Sequence, residues 1–146
     1  MQVERLVPAI TQVASATAAI ADHGDQPTLR TARAANNQLI TAAISVGGRV
    51  VKMLGEGMLL AFPADRAPEA VAALRTARDQ ASAVWQQLDR RCHVQVKMTI
   101  GNVLTGAIGA PGDLRFDVYG HALHELFKAP AADFALLPEL ADLVGR

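Results

Sequence analysis

A β-hairpin set between two amphipathic helices is the feature that most restricts how this chain can fold. Two apolar runs, Arg49 to Leu54 and Met58 to Phe62, flank a tight turn at Gly55 to Gly57. Short apolar runs joined by a glycine-containing turn predict an antiparallel hairpin. Pro63 follows the second run and is expected to end it. We therefore place a strand pair near the middle of the chain and assign the other elements around it.

Helices are predicted on both sides of this hairpin. Apolar residues recur at spacings of three and four from Thr28 to Val46, where Gly47-Gly48 ends the pattern. The longest helix is predicted from Pro68 to about Arg90, with one apolar stripe. A shorter helix from Gln12 to Ala21 is expected to break at the glycine and proline that follow it.

The remaining segments indicate further strands. Leu6 to Ile10 is predicted as a strand, and Pro8 within it favours an edge or distorted position. His93 to Ile100 alternates with period two, as a half-buried strand does. The glycine-containing run from Gly101 to Gly109 is predicted to return as its hairpin partner. The last part of the chain is predicted to add a strand at 115–119, a helix at 121–128 and a final strand and helix at 135–144.

The order strand, helices, hairpin, helix, strand predicts an α+β fold with a ferredoxin-like βαββαβ core and extra C-terminal strands and helices. The helices are expected to cover one face of a mainly antiparallel sheet. The other face is then left for a partner or a ligand.

Composition limits the kind of partner. The 146 residues, expected to form one domain over 1–146, carry 14 Lys+Arg and 14 Asp+Glu, so the net charge is zero. This balance argues against nucleic acid or an anionic membrane as the main partner. Charged residues make up only 19% of the chain, below the roughly 25% of typical soluble domains, which suggests that a partner covers part of the surface.

Two further classes are excluded by the sequence. Cys92 is the single cysteine, so neither an intramolecular disulfide nor a Cys-rich zinc site is expected. No apolar run is long enough to cross a membrane, and the N-terminus does not have the pattern of a targeting segment. We expect a cytoplasmic protein without membrane insertion.

Two stretches resemble the class III nucleotidyl cyclases. Gly47 to Gly57, closing with Phe62, resembles the pattern G-G-x-x-[VI]-K-x-x-G-D-x that ends in a Phe in that family. Ile100 to Gly109, followed by Phe116 to Gly120, resembles the family's glycine-spaced second pattern and its Y-[DT]-x-x-G segment. The resemblance covers about residues 5–145 and implies the cyclase fold. It further implies closure of a nucleoside triphosphate to a cyclic nucleotide with the help of two metal ions.

The residues at the metal positions depart from that family. Two Asp carboxylates hold magnesium-like ions there, and this chain has Gln12 and Glu56 in their places. Gln12 offers an oxygen without charge, whereas Glu56 keeps the charge on a longer side chain. The alternative interpretations are a polar residue at a strand end and a solvated carboxylate in a turn. Magnesium or manganese is expected only if activity is retained.

The transition-state positions depart as well. The family uses an Asn and an Arg on a short helix, where this chain has His124 and Lys128. Lys128 lacks the planar fork that grips two phosphate oxygens. A surface histidine, and a lysine that interacts with the helix dipole, are the alternative interpretations.

The purine-reading positions keep the residue types of adenylyl-type members. They are Lys52 and Asp117, and the resemblance implies that they read an adenine edge. The same two side chains are equally suited to form an ion pair with each other across two strands.

Three functions are compatible with these residues. The first is a catalytically inactive or strongly impaired cyclase-like signalling domain that serves dimerisation, regulation or sensing of an adenine nucleotide. It would pair as a homodimer, or as a heterodimer with a cyclase-like or signalling domain. The second is a residual or complementing adenylate cyclase that makes cyclic AMP from ATP. The third is a ferredoxin-like scaffold that binds some other small molecule or protein.

Overall fold

The computed structural model describes residues 1–145, which form a seven-stranded sheet with helices on both faces. The strands are β1 (Gln2–Ala14), β2 (Arg49–Leu54), β3 (Gly57–Pro63), β4 (His93–Met98), β5 (Gly101–Ala110), β6 (Asp113–Tyr119) and β7 (Phe134–Leu136). The helices are α1 (Ala16–His23), α2 (Asp25–Ser45), α3 (Ala67–Leu88), α4 (His121–Lys128) and α5 (Pro138–Val144), with a 3-10 turn at Ala64–Arg66.

The sheet has the strand order β2-β3-β1-β4, with β7 added beside β4. The first four strands are antiparallel to their neighbours, and β7 runs parallel to β4. This order, with α1 and α2 connecting β1 to β2 and α3 connecting β3 to β4, confirms the predicted ferredoxin-like core and the C-terminal additions to it.

The prediction that β5 returns as the hairpin partner of β4 was wrong. Ala9 lies opposite Met98 and Leu6 lies opposite Gly101, so β4 and β5 pair with β1 in the same register, one after the other. The ladder is interrupted only beside Pro8, whose oxygen accepts a hydrogen bond from the Thr99 nitrogen at 3.1 Å. Pro8 has no N–H to return, so the pairing lapses for two residues and then resumes.

Of the edge or distorted position predicted for Pro8, the edge is wrong, whereas the interrupted ladder beside it agrees with a distorted position. The strand that contains it is central, with β3 on one side and β4 and β5 on the other. A proline is accommodated there because its missing donor coincides with the break in the ladder rather than with a solvent-facing edge.

The first two helices begin at other residues than predicted. Gln12 belongs to β1, and α1 starts only at Ala16, after Ser15 has turned the chain with a left-handed φ of 67°. Helix α2 starts at Asp25 instead of Thr28, since Gly24 with φ 86° makes the whole turn. Pro27 is tolerated because it occupies the first helical turn, where no N–H partner is required.

Apolar side chains form a core on each face of the sheet. Helices α2 and α3 cover one face, where Phe62, Leu74 and Trp85 are fully buried. The opposite face is not left free as expected, because α4 packs on it through Leu123 and Leu126. The two leucines are one helical turn apart and therefore point to the same side of α4. The rest of that face is concave and holds the candidate site.

Within residues 1–145, the helices are all too short or too polar to cross a membrane.

Candidate functional site

Lys52 and Asp117 meet across the concave face of the sheet. The Nζ of Lys52 lies 3.1 Å from Oδ2 of Asp117, and the side chains are 45% and 23% exposed. The other carboxylate oxygen, Oδ1, accepts a hydrogen bond from the Val118 nitrogen at 2.8 Å. The structure therefore forms the ion pair that the sequence left open as one of two interpretations.

A β-bulge directs Lys52 to this face. Val50 pairs with Leu60 and Lys52 pairs with Leu59, so that Val51 is an extra residue in β2. Val51 packs with the apolar cluster of the concave face. A bulge turns neighbouring side chains toward the same side of a strand, and this places Lys52 beside Val51.

A second contact between β2 and β6 adjoins the first. The guanidinium carbon of Arg49 lies 3.6 Å from the centre of the Phe116 ring. Such a cation–π contact adds to the attraction between the two strands. Strands β2 and β6 are at opposite ends of the path β2-β3-β1-β5-β6, so the sheet curls strongly enough to bring its two ends together.

The backbone segments that carry Gln12 and Glu56 lie next to each other in the fold. A β-carbon built on Gly57 would lie 1.9 Å from the Thr11 oxygen and 3.3 Å from the Gln12 Cα, so the turn carrying Glu56 rests on the end of β1. The backbone oxygen of Glu56 accepts a hydrogen bond from Nδ2 of Asn36 at 3.3 Å. Gln12 is exposed and lies opposite Gln95 on β4.

These donors do not fit a pair of divalent cations. Gln12 and its neighbour Gln95 are uncharged amides, and Glu56 brings one carboxylate. In residues 1–145, no group of three or more His, Cys, Asp or Glu comes together in a way that would hold a metal ion. Magnesium-like ions require several hard oxygen ligands with negative charge, so we derive no step through a metal here.

His124 and Lys128 lie on the exposed side of α4. Lys128 is within 3.8 Å of Glu125, which is also 3.7 Å from His121. The backbone nitrogen of His124 donates to the Gly120 oxygen at 3.1 Å at the start of the helix. Both side chains are accessible, and neither offers a guanidinium or an amide.

Sequence reasoning missed Lys97, the lysine that fixes α4. It is 4% exposed, and its Nζ donates to the oxygens of Phe127 at 3.1 Å and Ala129 at 2.8 Å. Carbonyls at a helix C-terminus are favourable partners for a cation. Burial lowers the pKa of Lys97 below its ordinary value of 10.5. The sequence carried no signal for this role, since in the alternating strand Lys97 shares a face with the polar residues His93 and Gln95.

A cluster of charges ties α1 to the loop before β4. Arg91 contacts the carboxylates of Asp22 and Asp89, and His23 lies 3.1 Å from Asp89. Hydrogen bonds from Arg91 hold the pKa of Asp89 far below its usual range. The loop thereby anchors the helix that follows Gln12.

No protein-family model matches this sequence, and no curated protein matches it. Solved structures do. The adenylyl cyclase CyaB from P. aeruginosa superimposes with a TM-score of 0.87 at 14% identity, over 99% of this chain and 82% of that chain. A class III adenylyl cyclase-like ATP-binding protein from Pseudomonas aeruginosa gives 0.78 at 18% identity, over 96% of this chain and 34% of that chain.

A third similar structure is a dimeric guanylyl cyclase domain of a RhoGC fusion protein from Blastocladiella emersonii. Its TM-score is 0.75 at 10% identity, over 99% of this chain and 86% of that chain. At such low identities the likeness shows the fold. The chain has the fold of class III nucleotidyl cyclase domains, as the resemblance of its two sequence stretches implied.

Proposed function

We propose that this chain, folded as class III nucleotidyl cyclase domains are, is a catalytically inactive or strongly impaired cyclase-like domain. Its role would be that of a signalling module that dimerises, regulates a partner or senses an adenine nucleotide. The observation that carries the proposal is the donor set at the end of β1, where Gln12 brings an amide and Glu56 a single carboxylate.

The negative charge available at the end of β1 determines whether two divalent cations can bind there. Two divalent cations need compensating carboxylates, and an uncharged amide in place of one carboxylate weakens their binding. Helix α4 also lacks groups for binding phosphate, because His124 and Lys128 offer no planar donor fork for phosphate oxygens. Losing one preorganised electrostatic group costs on the order of 10²–10³ in rate, and these losses fall on both halves of the site. Magnesium or manganese would matter only if some turnover persisted.

Nucleotide recognition is supported by Lys52 and Asp117. A lysine ammonium and a carboxylate together present a donor and an acceptor, as an adenine edge requires. The pair is partly exposed, so a base can exchange with it at small cost, since an exposed ion pair contributes only about 0–1 kcal/mol. A structural neighbour of this fold is an ATP-binding protein by its own description.

Dimerisation is supported by an exposed apolar arm formed by β5 and β6. Ile108, Leu114 and Tyr119 on this arm are 37%, 59% and 69% exposed. The register of the arm places Ile108 and Tyr119 on one of its faces and Leu114 on the other. Exposed apolar side chains on one hairpin are typical of a surface that a partner covers. The partner would be a second copy of the chain or another cyclase-like or signalling domain, and one neighbour of the same fold is described as dimeric.

Activity is tested with the purified protein, ATP and manganese, with cyclic AMP as the readout and an active cyclase assayed in parallel. We expect no cyclic AMP above background. Turnover that disappears in Glu56→Gln would overturn the proposal in favour of a residual adenylate cyclase.

Binding and assembly are tested separately. We expect ATP without metal to raise the melting temperature, because a ligand that binds only the native state stabilises it. We expect light scattering to show a dimer that Leu114→Asp weakens and that Ile44→Asp, a change at an exposed residue of α2, leaves intact. A monomer without any response to nucleotides would favour a scaffold for another ligand.

A further inference from the structure

A cavity lies on the side of the β2–β3 turn that faces α2. It has a volume of about 350 Å³ and is enclosed by the end of α1, the first half of α2 and the turn itself. Four apolar residues supply much of its lining, namely Ile20, Leu29, Ala32 and Met53. Leu29 and Met53 are 52% and 54% exposed and form an apolar rim. Concave apolar sites of this size with a few polar groups are the usual form of small-molecule sites.

Two nearly buried polar side chains line the cavity, Thr28 and Asn36. The Thr28 hydroxyl donates to the Gly24 backbone oxygen at 2.7 Å. Asn36 is 7% exposed, and its Nδ2 donates to the backbone oxygen of Glu56 at 3.3 Å. This bond orients the amide so that Oδ1 remains an acceptor. Among residues 1–145, the buried side-chain polar atom without a hydrogen-bond partner is Nε1 of Trp85, so Oδ1 of Asn36 is open to solvent. A ligand that brings an N–H donor can bond to it.

The charges around the cavity favour a cation. Asp25 and Glu56 line it together with Arg33, giving two carboxylates against one guanidinium. Within the described chain, none of these three side chains takes part in an ion pair. An occupant with a positive charge restores the balance, whereas an anion would add to the excess of carboxylates.

We propose that this cavity binds a small amphiphilic amine, in which an aromatic or branched aliphatic body carries a protonated nitrogen. The body packs on Ile20, Ala32 and the rim, and the ammonium donates to Oδ1 of Asn36 beside Glu56. Glu56 is shared between this cavity and the donor set at the end of β1, but the inference does not depend on Lys52 and Asp117, the proposed nucleotide-recognition pair on the concave face.

The probe is phenethylamine, titrated into the ¹⁵N-labelled full chain and followed by its amide resonances. We expect saturable shifts of the Gly55 and Ala32 backbone amides and of the Asn36 side-chain amide. 3-Phenylpropionate, which has a similar body and the opposite charge, should bind at least tenfold more weakly. Ala32→Leu, which fills the cavity, should weaken phenethylamine binding at least tenfold, whereas Ala34→Leu on an exposed part of α2 should change it less than twofold.

A second pair of variants covers the case in which Ala32→Leu does not fold. Met53→Lys adds a positive charge at the exposed rim and should weaken phenethylamine binding, while Ile44→Lys adds the same charge to an exposed residue outside the cavity lining and should not. The proposal is overturned if shifts fail to saturate, if they map to the β5–β6 arm, or if phenylpropionate binds as tightly as the amine.

Discussion

Gly57 lies so close to Thr11 that a β-carbon at position 57 would stand 1.9 Å from the Thr11 carbonyl oxygen. At the next residue of the strand, the Met58 nitrogen donates a hydrogen bond to Oγ1 of Thr11 at 2.9 Å. The turn that carries Glu56 is therefore held against the end of β1 by backbone contact. This contact explains why a glycine follows Glu56.

Gly57→Ala is expected to destabilise the protein by about 3 kcal/mol, since backbone atoms cannot yield to the added methyl group. Gly55→Ala in the same turn is the matched control. It meets no atom within 4 Å and is expected to cost only about 1–2 kcal/mol for its left-handed backbone. Urea denaturation measures both. Equal losses in the two variants would show that the close approach to Thr11 is relieved in solution.

Lys97→Met is expected to destabilise the protein by about 2 kcal/mol, because the Phe127 and Ala129 oxygens lose their buried partner. Amide hydrogen exchange should rise in α4 more than in α3. Lys128→Met, at the exposed end of α4, is the control and should change stability by less than about 0.5 kcal/mol. If α4 keeps its protection without the Lys97 amine, the contact with the carbonyls does not hold the helix.

The pH dependence of Lys97 has a defined sign. Its pKa is lowered in the folded protein, so the unfolded chain binds more protons between that pKa and the ordinary value. Stability of the natural protein relative to Lys97→Met should therefore rise as pH rises through this interval toward 10.5. Urea denaturation of both proteins between pH 8 and about 10.5 gives the difference. A constant difference would mean that Lys97 titrates normally.

Asp89→Asn should destabilise the protein at neutral pH and lose its effect in acid. The pKa of Asp89 is lowered by hydrogen bonds from Arg91, so its contribution is present above the unfolded value of 3.8 and is lost as pH falls toward the folded value. Asp79→Asn, at an exposed carboxylate on α3, serves as the control. Unfolding curves from pH 2 to 7 measure the effect, and a difference that persists unchanged at pH 2 would contradict the assignment.

Lys52→Ala and Asp117→Asn should each abolish the rise in melting temperature that ATP produces. Without ATP the changes should be small, because the exposed ion pair contributes about 0–1 kcal/mol. Arg115→Ala, a cation on β6 that is 80% exposed, should keep the full response. Retention of the ATP response in both site variants would place the nucleotide elsewhere.

Local chemistry was sufficient for the central hairpin. Strand β2 begins and ends at the predicted Arg49 and Leu54, and β3 ends at Pro63 as expected. Short apolar runs, a glycine turn and a proline stop all act within a few residues, so the sequence shows them directly. The helix α3 and the ferredoxin-like order followed for the same reason.

The errors arose where one segment's structure depends on a distant one. Whether Gly101 starts a return strand or continues β4 is decided by its pairing with β1, and the interruption there comes from Pro8, more than ninety positions earlier in the chain. Likewise, the start of α1 depends on how far β1 runs beside β4. Periodicity within a segment carries no information about such pairing.

The sequence by itself determined the α+β class, the hairpin and the residue types at the candidate site, with Gln12 for a carboxylate and Lys52 and Asp117 as opposite charges. Only the tertiary structure decided that Lys52 and Asp117 touch, that Lys97 caps α4, and that Asn36 faces a cavity. The reason is physical: residue type and spacing fix local geometry, whereas ion pairs, caps and cavities are formed by side chains that only the curled sheet and its packed helices bring together.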